Sequence, residues 1–327
     1  TTYKEIKGTQ IEVLSSDPSN PVEGQVWYNS TSNVLKGQSA TGAAAWATGG
    51  TINSARYGLA GAAANNTDAI VFGGYPNGAV GNTENYNGSN WTEVNDMNNA
   101  RGYLGGAGTH TAGLAMGGLN PPSTGEGETE LWNGINWTEV NDLNSARYNG
   151  GDAGTSTSAL YFGGTTPTVA VNESWNGTNW TEVNDLNTAR HGLGGAGADN
   201  TSALAFGGGN PSSVGSTESW NGSNWTEVND LNTARRNLGG TGISTLALGF
   251  GGQTGAAPTK VANTETWNGT NWTETTDMST ARVSMGHGGT ASSAITAGGY
   301  DGAVPFENAT EEFTGAGTAV TRTFTDS

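Results

Sequence analysis

The chain has 327 residues, of which 54 are glycine and none is cysteine, and 12 Lys and Arg against 29 Asp and Glu give a formal net charge of -17. This balance excludes a protein that holds nucleic acid through a basic face, and the lack of cysteine excludes disulfides and thiolate metal sites. No apolar run approaches the ~18 residues of a membrane span, so we expect no membrane insertion, and 11 Trp residues argue against wholesale disorder.

Residues 1–45 differ in composition from the rest of the chain and contain three of its four lysines. Within them, GQVWYNSTSNVLKG predicts a β-hairpin with a Thr-Ser-Asn turn. The segment is similar to short G-Q-x-W-Y-N hairpins of bacteriophage tail-fibre and other virion proteins. That resemblance implies an attachment segment that docks on other virion proteins through candidate contacts Trp27, Tyr28 and Leu35. A solvated tail is the alternative.

Residues 46–327 contain a repeat. The segment ESWNGTNWTEVNDLNTAR, residues 173–190, recurs almost unchanged at 218–235 and more loosely in three other places. Its last Arg occurs six times at intervals of 43 to 47 residues, with a Gly-Gly pair 16 or 17 residues later and a Trp ten residues earlier. The arginines are Arg56, Arg101, Arg147, Arg190, Arg235 and Arg282, and the tryptophans are Trp46, Trp91, Trp137, Trp180, Trp225 and Trp272.

Each repeat predicts four short strands separated by turns, which is typical of a propeller blade. In the copy after Arg190 the strands are GLGGAGA, SALAFGG, STESWN and NWTEVNDL. The Asn-Gly between the third and fourth strands predicts a type I′ hairpin turn, in which both residues have positive φ. Strand alternation then places the variable loops, between the second and third strands, on the same face as the Arg-bearing connections. If the first strands are innermost, their glycines let six strands converge on a narrow axis.

The order of residues in one repeat resembles the Kelch repeat of β-propellers. Gly207-Gly208 corresponds to its diglycine, Trp220 stands in place of its usual Tyr, Trp225 corresponds to its Trp, and Leu231 and Arg235 close the motif. The Pro that usually precedes this Arg is Ala in all six copies. The resemblance implies an all-β, Kelch-like propeller and says almost nothing about function.

The number of blades depends on how the ring closes. Trp46 lies ten residues before Arg56 and is in register as a fourth strand without a third strand before it. We therefore expect six four-stranded blades, with the Trp46 strand completing the last one. The alternative is a seventh blade built from QVWYN, NVLK, the Trp46 strand and the C-terminal strand.

Groups that recur in every blade favour a structural role. The six arginines could form a basic ring for an anion, but we expect each to pair with a carboxylate of a neighbouring blade, such as Asp96, Asp142, Asp185, Asp230 or Asp277. The repeated tryptophans and Tyr86 could stack on sugar rings, but packing between blades is the favoured interpretation.

Catalysis requires a nonrepeated set of residues, and none is evident, so we expect no enzyme. His110, His191 and His287 lie at unequal positions without a second ligand at metal spacing. Alternate carboxylates at Glu126, Glu128 and Glu130 could bind Ca²⁺, although a solvated acidic loop is favoured and no cofactor is expected. An enzyme acting in the axial channel through His287 and Asp152 is the minor alternative.

The variable loops are the best candidates for recognition, because a rigid scaffold that presents variable loops on one face is a common binding arrangement. Their candidate contact residues are Tyr75, Asn77, Asn120, Thr165, Asn210, Gln253, Tyr300 and Asp301. We expect a noncatalytic virion protein, present in several copies per particle, whose propeller faces outward for adhesion to a host polysaccharide or protein, or for decoration. The alternative is a secreted or cell-surface bacterial carbohydrate-binding propeller.

Overall fold

The computed structural model describes residues 11–18, 25–38, 42–122, 125–255, 259–303, 306–317 and 321–324. Every secondary-structure element named within these ranges is a β-strand. The chain forms two compact units, residues 45–314 and residues 1–44 together with 315–327. The first boundary lies within one residue of the predicted one. The C-terminal residues 315–327, which we had placed in the propeller, instead belong to the smaller unit.

The smaller unit contains one four-stranded sheet. Its order is β1 (Glu12–Leu14), β2 (Val26–Asn29), β3 (Val34–Gln38) and β30 (Thr321–Phe324), with β1 parallel to β2 and the other pairs antiparallel. Tyr28 lies opposite Leu35, so the predicted hairpin is confirmed, and Leu35 also lies opposite Phe324. Tyr28 and Leu35 are half-buried.

Trp27 is a core residue of this unit. Its side chain is fully buried, and its indole N–H donates to Asp17 Oδ1 over 3.1 Å. Lys36 lies opposite Trp27 and places its ammonium 2.7 Å from Asp17 Oδ2. The hydrogen bond from Lys36, with those from Asn29 and Trp27, lowers the pKa of Asp17 to about 2. Because it is buried, Trp27 offers no surface to a partner, which corrects its assignment as an attachment contact.

The larger unit consists of six antiparallel four-stranded sheets, numbered blades 1 to 6 in chain order. Blade 1 contains β5 (Ala60–Asn65), β6 (Asp68–Phe72), β7 (Thr83–Tyr86) and β8 (Trp91–Glu93); blade 2 contains β9 (Gly105–Thr109), β10 (Ala112–Gly118), β11 (Glu126–Trp132) and β12 (Trp137–Glu139); blade 3 contains β13 (Gly151–Thr155), β14 (Ser158–Phe162), β15 (Asn172–Trp175) and β16 (Trp180–Val183). Blade 4 contains β17 (Gly194–Asp199), β18 (Ser202–Phe206), β19 (Thr217–Trp220) and β20 (Trp225–Val228); blade 5 contains β21 (Gly239–Ile243), β22 (Leu246–Phe250), β25 (Thr264–Trp267) and β26 (Trp272–Glu274); blade 6 contains β27 (Gly286–Thr290), β28 (Ser293–Ala297), β29 (Thr310–Thr314) and β4 (Ala45–Thr48). A two-stranded ribbon, β23 (Gln253–Thr254) and β24 (Thr259–Lys260), lies in the variable loop of blade 5.

The ring closes as predicted, because the first strand of the propeller in chain order, β4, completes the last blade. Strand β4 pairs with β29 so that Trp46 lies opposite Phe313, and the Trp46 ring packs on Phe313 and Phe250. The first strands of the blades neighbour one another in the closed order β5, β9, β13, β17, β21, β27. The seven-blade alternative is correct in part: QVWYN, NVLK and the C-terminal strand do share a seventh four-stranded sheet, in which β3 pairs with β30. It is wrong for the Trp46 strand, because β4 pairs with β29 in blade 6 and β1 is the fourth strand of that sheet.

Close approach at the axis explains the glycine-rich first strands. A Cβ added to Gly61 would lie 2.6 Å from the carbonyl oxygen of His287, and one added to Gly106 would lie 2.5 Å from that of Gly61. Side chains at these positions would collide with the backbone of the neighbouring strand. The prediction that glycine lets six first strands converge is confirmed.

Aromatic residues pack between blades rather than facing solvent. Phe206 of blade 4 lies 4.7 Å from Trp272 of blade 5, measured between ring centroids, and Trp272 donates its indole N–H to Thr217 of blade 4 over 3.1 Å. Equivalent indole bonds to the preceding blade join Trp46 to Thr264, Trp91 to Thr310, Trp137 to Thr83 and Trp180 to Thr129. The repeated tryptophans therefore join each blade to the one before it.

The Asn-Gly turns form hairpins, but the predicted turn type is wrong. In the turn of blade 4, Gly222 has a φ of +90°, whereas Asn221 does not have a positive φ. Asn221 Oδ1 instead accepts the backbone N–H groups of Ser223 and Asn224, each over 2.9 Å. The asparagine is present because its side chain substitutes for a backbone acceptor in a four-residue loop.

One blade junction breaks the indole pattern and offers a test of it. Asn172 stands where other blades have Thr, and both Asn172 Oδ1 and Trp225 Nε1 are buried without a hydrogen-bond partner. We expect Asn172→Thr to stabilise the protein by about 1 kcal/mol, because it supplies the missing acceptor. Thr83→Val has the opposite effect at another junction: it leaves the Trp137 indole N–H without an acceptor and should destabilise the protein by about 1–3 kcal/mol. Denaturation midpoints of both variants would check this, and a destabilised Asn172→Thr protein would contradict it.

Candidate functional site

The six repeated arginines are buried in ion pairs, with relative exposures of 0–1%. In blade 1, Arg56 Nη1 lies 2.5 Å from Glu84 Oε1 and Nε donates to the Gly73 carbonyl over 2.9 Å, while Asn53 Nδ2 donates to Glu84 Oε2 over 2.8 Å. The equivalent pairs are Arg101–Glu130, Arg147–Glu173, Arg190–Glu218, Arg235–Glu265 and Arg282–Glu311. The arginines therefore cannot serve as a basic ring for a soluble anion.

The partners of these arginines differ from those predicted. The carboxylates come from the third strand of each blade and not from the aspartates that follow the fourth strand. Asp96 Oδ1 instead accepts the backbone N–H of Thr83 over 3.1 Å, and Asp142, Asp185, Asp230 and Asp277 accept equivalent backbone bonds. The third-strand carboxylate is preferred because it is buried beside the guanidinium, where only a paired charge is tolerated.

Breaking one buried pair should be costly. Arg190→Met or Glu218→Leu leaves an uncompensated buried charge, and we expect each to destabilise the protein by about 3–5 kcal/mol. The double variant removes both charges and should recover a large part of that loss. Chemical denaturation would measure these effects, with the exposed Glu227→Gln on the neighbouring strand as a control of near-zero effect. A double variant less stable than both single variants would contradict the pairing.

The Arg-bearing connections and the variable loops share one face, which we call the loop face. The residue after each arginine forms an antiparallel backbone bridge with the residue after each diglycine. These pairs are Tyr57–Tyr75, Gly102–Leu119, Tyr148–Thr165, His191–Gly209, Arg236–Gln253 and Val283–Tyr300. The predicted coincidence of the two sets of segments is confirmed.

A closed ring of backbone hydrogen bonds surrounds the axis near the loop face. Its members are the residues two positions after each arginine: Gly58, Tyr103, Asn149, Gly192, Asn237 and Ser284. Each N–H donates to the carbonyl of the ring member in the preceding blade, over 2.6 to 3.1 Å. All six residues have φ between +51° and +66°, a left-handed conformation that glycine and asparagine adopt most readily. The ring was not predicted, because its six members share a backbone conformation and not a side-chain type.

The axial channel is narrow and mostly lined by glycine. It contains cavities of about 80 and 60 Å³, both bordered by Asp152 and His287, which come from the opposite strands β13 and β27. Small-molecule sites usually measure about 300–1,000 Å³. At the mouth, Asn149 Nδ2 donates to Asn237 Oδ1 over 3.2 Å. The two residues of the enzyme alternative are thus brought together in a space suited to a few water molecules.

Asp152 has an altered acidity. Burial raises its pKa to about 6, while His287 and the Gly106 N–H, which donates to Oδ2 over 3.3 Å, act in the opposite direction. The His287 Nδ1 lies 3.1 Å from the Met285 carbonyl oxygen.

The Asp152 carboxyl should make stability fall as pH rises. Its folded pKa of about 6 exceeds the ordinary value of 3.8, so the folded state holds the proton more tightly and loses stability between about pH 4 and 6. We expect Asp152→Asn to raise the Tm at pH 7.5 and to have little effect below pH 4. Thermal unfolding across this range, with exposed Glu139→Gln as control, would check the prediction. A Tm difference that does not change with pH would count against it.

Aromatic rings cluster on one sector of the loop face. Tyr57 lies at its centre, with ring centroids 4.6 Å from Phe306, 5.8 Å from Tyr103, 5.9 Å from Tyr75 and 6.0 Å from Tyr300. Tyr148 extends the group, 6.2 Å from Tyr103. We call these six residues the aromatic cluster; all but Tyr75 are half-buried.

Tyr75 is the most enclosed member of the aromatic cluster. It is 8% exposed, and its hydroxyl donates to the carbonyl oxygen of Leu119. Burial raises the pKa of Tyr75 to about 12, with smaller contributions from Tyr57 and Tyr148. Tyr75 is therefore better placed to support the aromatic cluster than to contact a ligand. Tyr57, which is not among the predicted contact residues, lies at its centre.

The remaining loop candidates are spread over the loop face. Asn77, Asn120 and Asn210 are exposed. Thr165, Gln253, Tyr300 and Asp301 are half-buried, and Thr165, Gln253 and Tyr300 are bridge residues. Most of the candidates are accessible, but the structure does not gather them into one pocket.

Two cations on the loop face were missed by the sequence analysis. Arg236 forms the bridge with Gln253, and its Nη1 donates to the Pro211 carbonyl oxygen. Lys260 lies opposite Gln253 in the blade 5 ribbon, with Nζ 4.5 Å from the centroid of the Tyr300 ring. Two signals could have revealed them: the Arg-Arg doublet is unique among the six repeats, and Lys260 is the one lysine of residues 45–314.

The acidic stretch of blade 2 does not present three ligands together. Glu130 is committed to Arg101, and Glu126 and Glu128 lie beside Asn120. Burial and the adjacent Glu126 raise the pKa of Glu128, against a lowering contribution from Arg101. The described residues contain no group of three His, Asp or Glu side chains arranged for a metal ion. They also include no helix with the length and hydropathy of a membrane span.

The sequence matches no protein-family model and no curated protein. The Kelch resemblance thus stays a prediction. The six-bladed, all-β propeller architecture rests on the strand pairing and the closed order of the first strands.

Proposed function

We propose that this chain is a noncatalytic display protein of a bacteriophage particle, in which the smaller unit attaches to other virion proteins and the propeller recognises a host surface. The observation that carries the proposal is the division of labour along the chain. The smaller unit comprises residues 1–44 and 315–327, while residues 45–314 complete all six blades without them. A module closed on itself is suited to display, because it needs no neighbouring protein to finish its sheets.

Two further features support the assignment. The confirmed hairpin of β2 and β3 contains the segment that resembles phage virion proteins. The axial channel holds cavities of only about 80 and 60 Å³, so the broad loop face is the better surface for a polymer of the host. The aromatic cluster offers ring faces on which sugars can stack.

Attachment has a candidate surface on strand β1, at the edge of the smaller sheet. Val13 of this strand is 66% exposed, and the adjacent Ile11 is 36% exposed. An exposed edge strand with apolar side chains is suited to pairing with another chain.

The proposal is tested by following the protein into particles. In the phage or host that encodes the chain, full-length protein should copurify with particles, whereas a variant of residues 45–314 should fold with a cooperative thermal transition and be absent from them. The deletion must end at residue 44, because β4 completes blade 6.

A matched pair of point variants sharpens this test. Val13 lies on β1 and is 66% exposed. Ile135 lies in a turn of blade 2 and is similarly exposed, at 67%. We expect Val13→Asp to lower incorporation at least several-fold and Ile135→Asp to leave it unchanged. Incorporation of the 45–314 variant would overturn the attachment role. A full-length chain secreted free of particles would instead favour the bacterial carbohydrate-binding propeller, the second candidate that the aromatic cluster supports.

A further inference from the structure

The charges of the propeller are unevenly distributed. Residues 45–314 contain 24 Asp and Glu against eight Lys and Arg, and six of those eight are the buried arginines. The other two, Arg236 and Lys260, both lie on the loop face in blade 5. Among the described residues neither is within ion-pair distance of a carboxylate. Two cations on one face of an acidic propeller, neither in an ion pair among the described residues, require an explanation.

Strand register brings these cations into one row. Arg236 lies opposite Gln253 in an antiparallel bridge, and Gln253 lies opposite Lys260 in the β23–β24 ribbon. Residues directly opposite in antiparallel strands have side chains on the same side. The three side chains therefore project together, and Lys260 continues the row to the ring of Tyr300.

The surroundings of the row leave its charge available. The two loops that flank it, residues 209–216 and 253–263, contain no Asp or Glu. Along the chain, Glu265 is nearest to Lys260 and is paired with Arg235, and Asp230 is nearest to Arg236 and accepts the Thr217 N–H. The blade 6 loop, which contains Tyr300, adds Asp301 and Glu307. Asp301 Oδ1 accepts the Ala303 N–H over 2.7 Å, and burial followed by the Asp301 charge raises the pKa of Glu307.

We propose that this row, Arg236, Gln253, Lys260 and Tyr300, binds a carboxylated polysaccharide, a polymer that contains uronic acid or similar sugars. The inference rests on the proposed function and names the class of host polymer that the loop face recognises. Arg236 and Lys260 supply donors for carboxylates, since a guanidinium matches a carboxylate with two parallel bonds. Gln253 supplies amide groups for hydroxyls. Tyr300, continuous with Tyr57 at 6.0 Å, supplies ring faces for the sugars.

Nucleic acid is a poorer fit for the same cations. Two positive charges on a propeller of opposite overall sign neutralise few phosphates, and phosphate contacts supply most of the affinity for nucleic acid. A carboxylated polysaccharide also offers hydroxyl groups to Gln253 and sugar faces to Tyr300, so its binding does not depend on charge neutralisation alone.

The test compares two probes that share a sugar backbone and differ in whether their carboxyl groups are ionised or methyl-esterified. Binding of the full-length chain to polygalacturonate oligosaccharides and to their fully methyl-esterified form would be measured by calorimetry at low and physiological salt. We expect binding to the acidic form and at least tenfold weaker binding to the ester. Arg236→Gln and Lys260→Gln should each weaken binding to the acidic form by about tenfold, the effect of losing one charge-assisted hydrogen bond.

Control variants separate site contacts from net charge. Asn77→Asp, in the exposed blade 1 loop, changes net charge by the same amount as Lys260→Gln and should alter affinity less than twofold. Tyr300→Phe should retain binding, because the ring face is kept, whereas Tyr300→Ala should weaken it. Circular dichroism and Tm would confirm that each variant is folded.

Each outcome decides the inference. Equal binding of both probes would overturn it and leave the proposed function standing with a neutral ligand. Absence of binding to either probe would overturn it as well, while particle incorporation would still judge the proposed function independently. Binding of a single-stranded oligonucleotide with the same dependence on Arg236 and Lys260 would replace the polysaccharide by nucleic acid.

Discussion

The buried arginine of each repeat is the interaction on which the rest of the propeller depends. One guanidinium joins three segments: the connection that enters the blade, the diglycine that ends its second strand, and the glutamate of its third strand, as in the set Arg56, Gly73 and Glu84. The pair is held away from water, where a lone charge is strongly disfavoured and a paired charge is tolerated. Each blade is thereby locked at its loop-face end, and the bridges beyond the arginine and the diglycine follow from that placement.

This arrangement also determines the electrostatics of the protein. Six of the eight cations of residues 45–314 are used inside the blades, each paired with a buried glutamate. The net charge outside these pairs is therefore unchanged, but two cations remain there against 18 Asp and Glu. Against that background Arg236 and Lys260 are conspicuous, although either would be ordinary on a protein of balanced charge. Because the six repeated arginines have a structural role inside the blades, Arg236 and Lys260 are the two cations of residues 45–314 that remain for other contacts.

Much of the fold could be predicted because the same residues recur at the same spacing in six repeats, and each repeat must form the same blade. The strands, the Trp46 closure, the glycine-lined axis and the common face of loops and connections all follow from spacing. Prediction failed where two carboxylates of one repeat could pair with the same arginine. Glu84 and Asp96 are both candidates for Arg56, and only the packing shows that Glu84 is the one buried beside the guanidinium. The sheet that contains β30 was predicted only in the alternative, because the available edges of blade 6 and of β3 cannot be distinguished from the sequence.

The candidate site was predicted less well, for a reason that the backbone explains. The residue after each arginine contributes only its N–H and C=O to the bridge, so the fold places no demand on its side chain. The six copies accordingly carry Tyr57, Gly102, Tyr148, His191, Arg236 and Val283, while the preceding position is always Arg. A search among loops by length overlooks this position, because it belongs to the most regular part of the repeat. Its variation is nevertheless concentrated on the loop face, where a change of side chain leaves undisturbed the backbone hydrogen bonds that hold the blade.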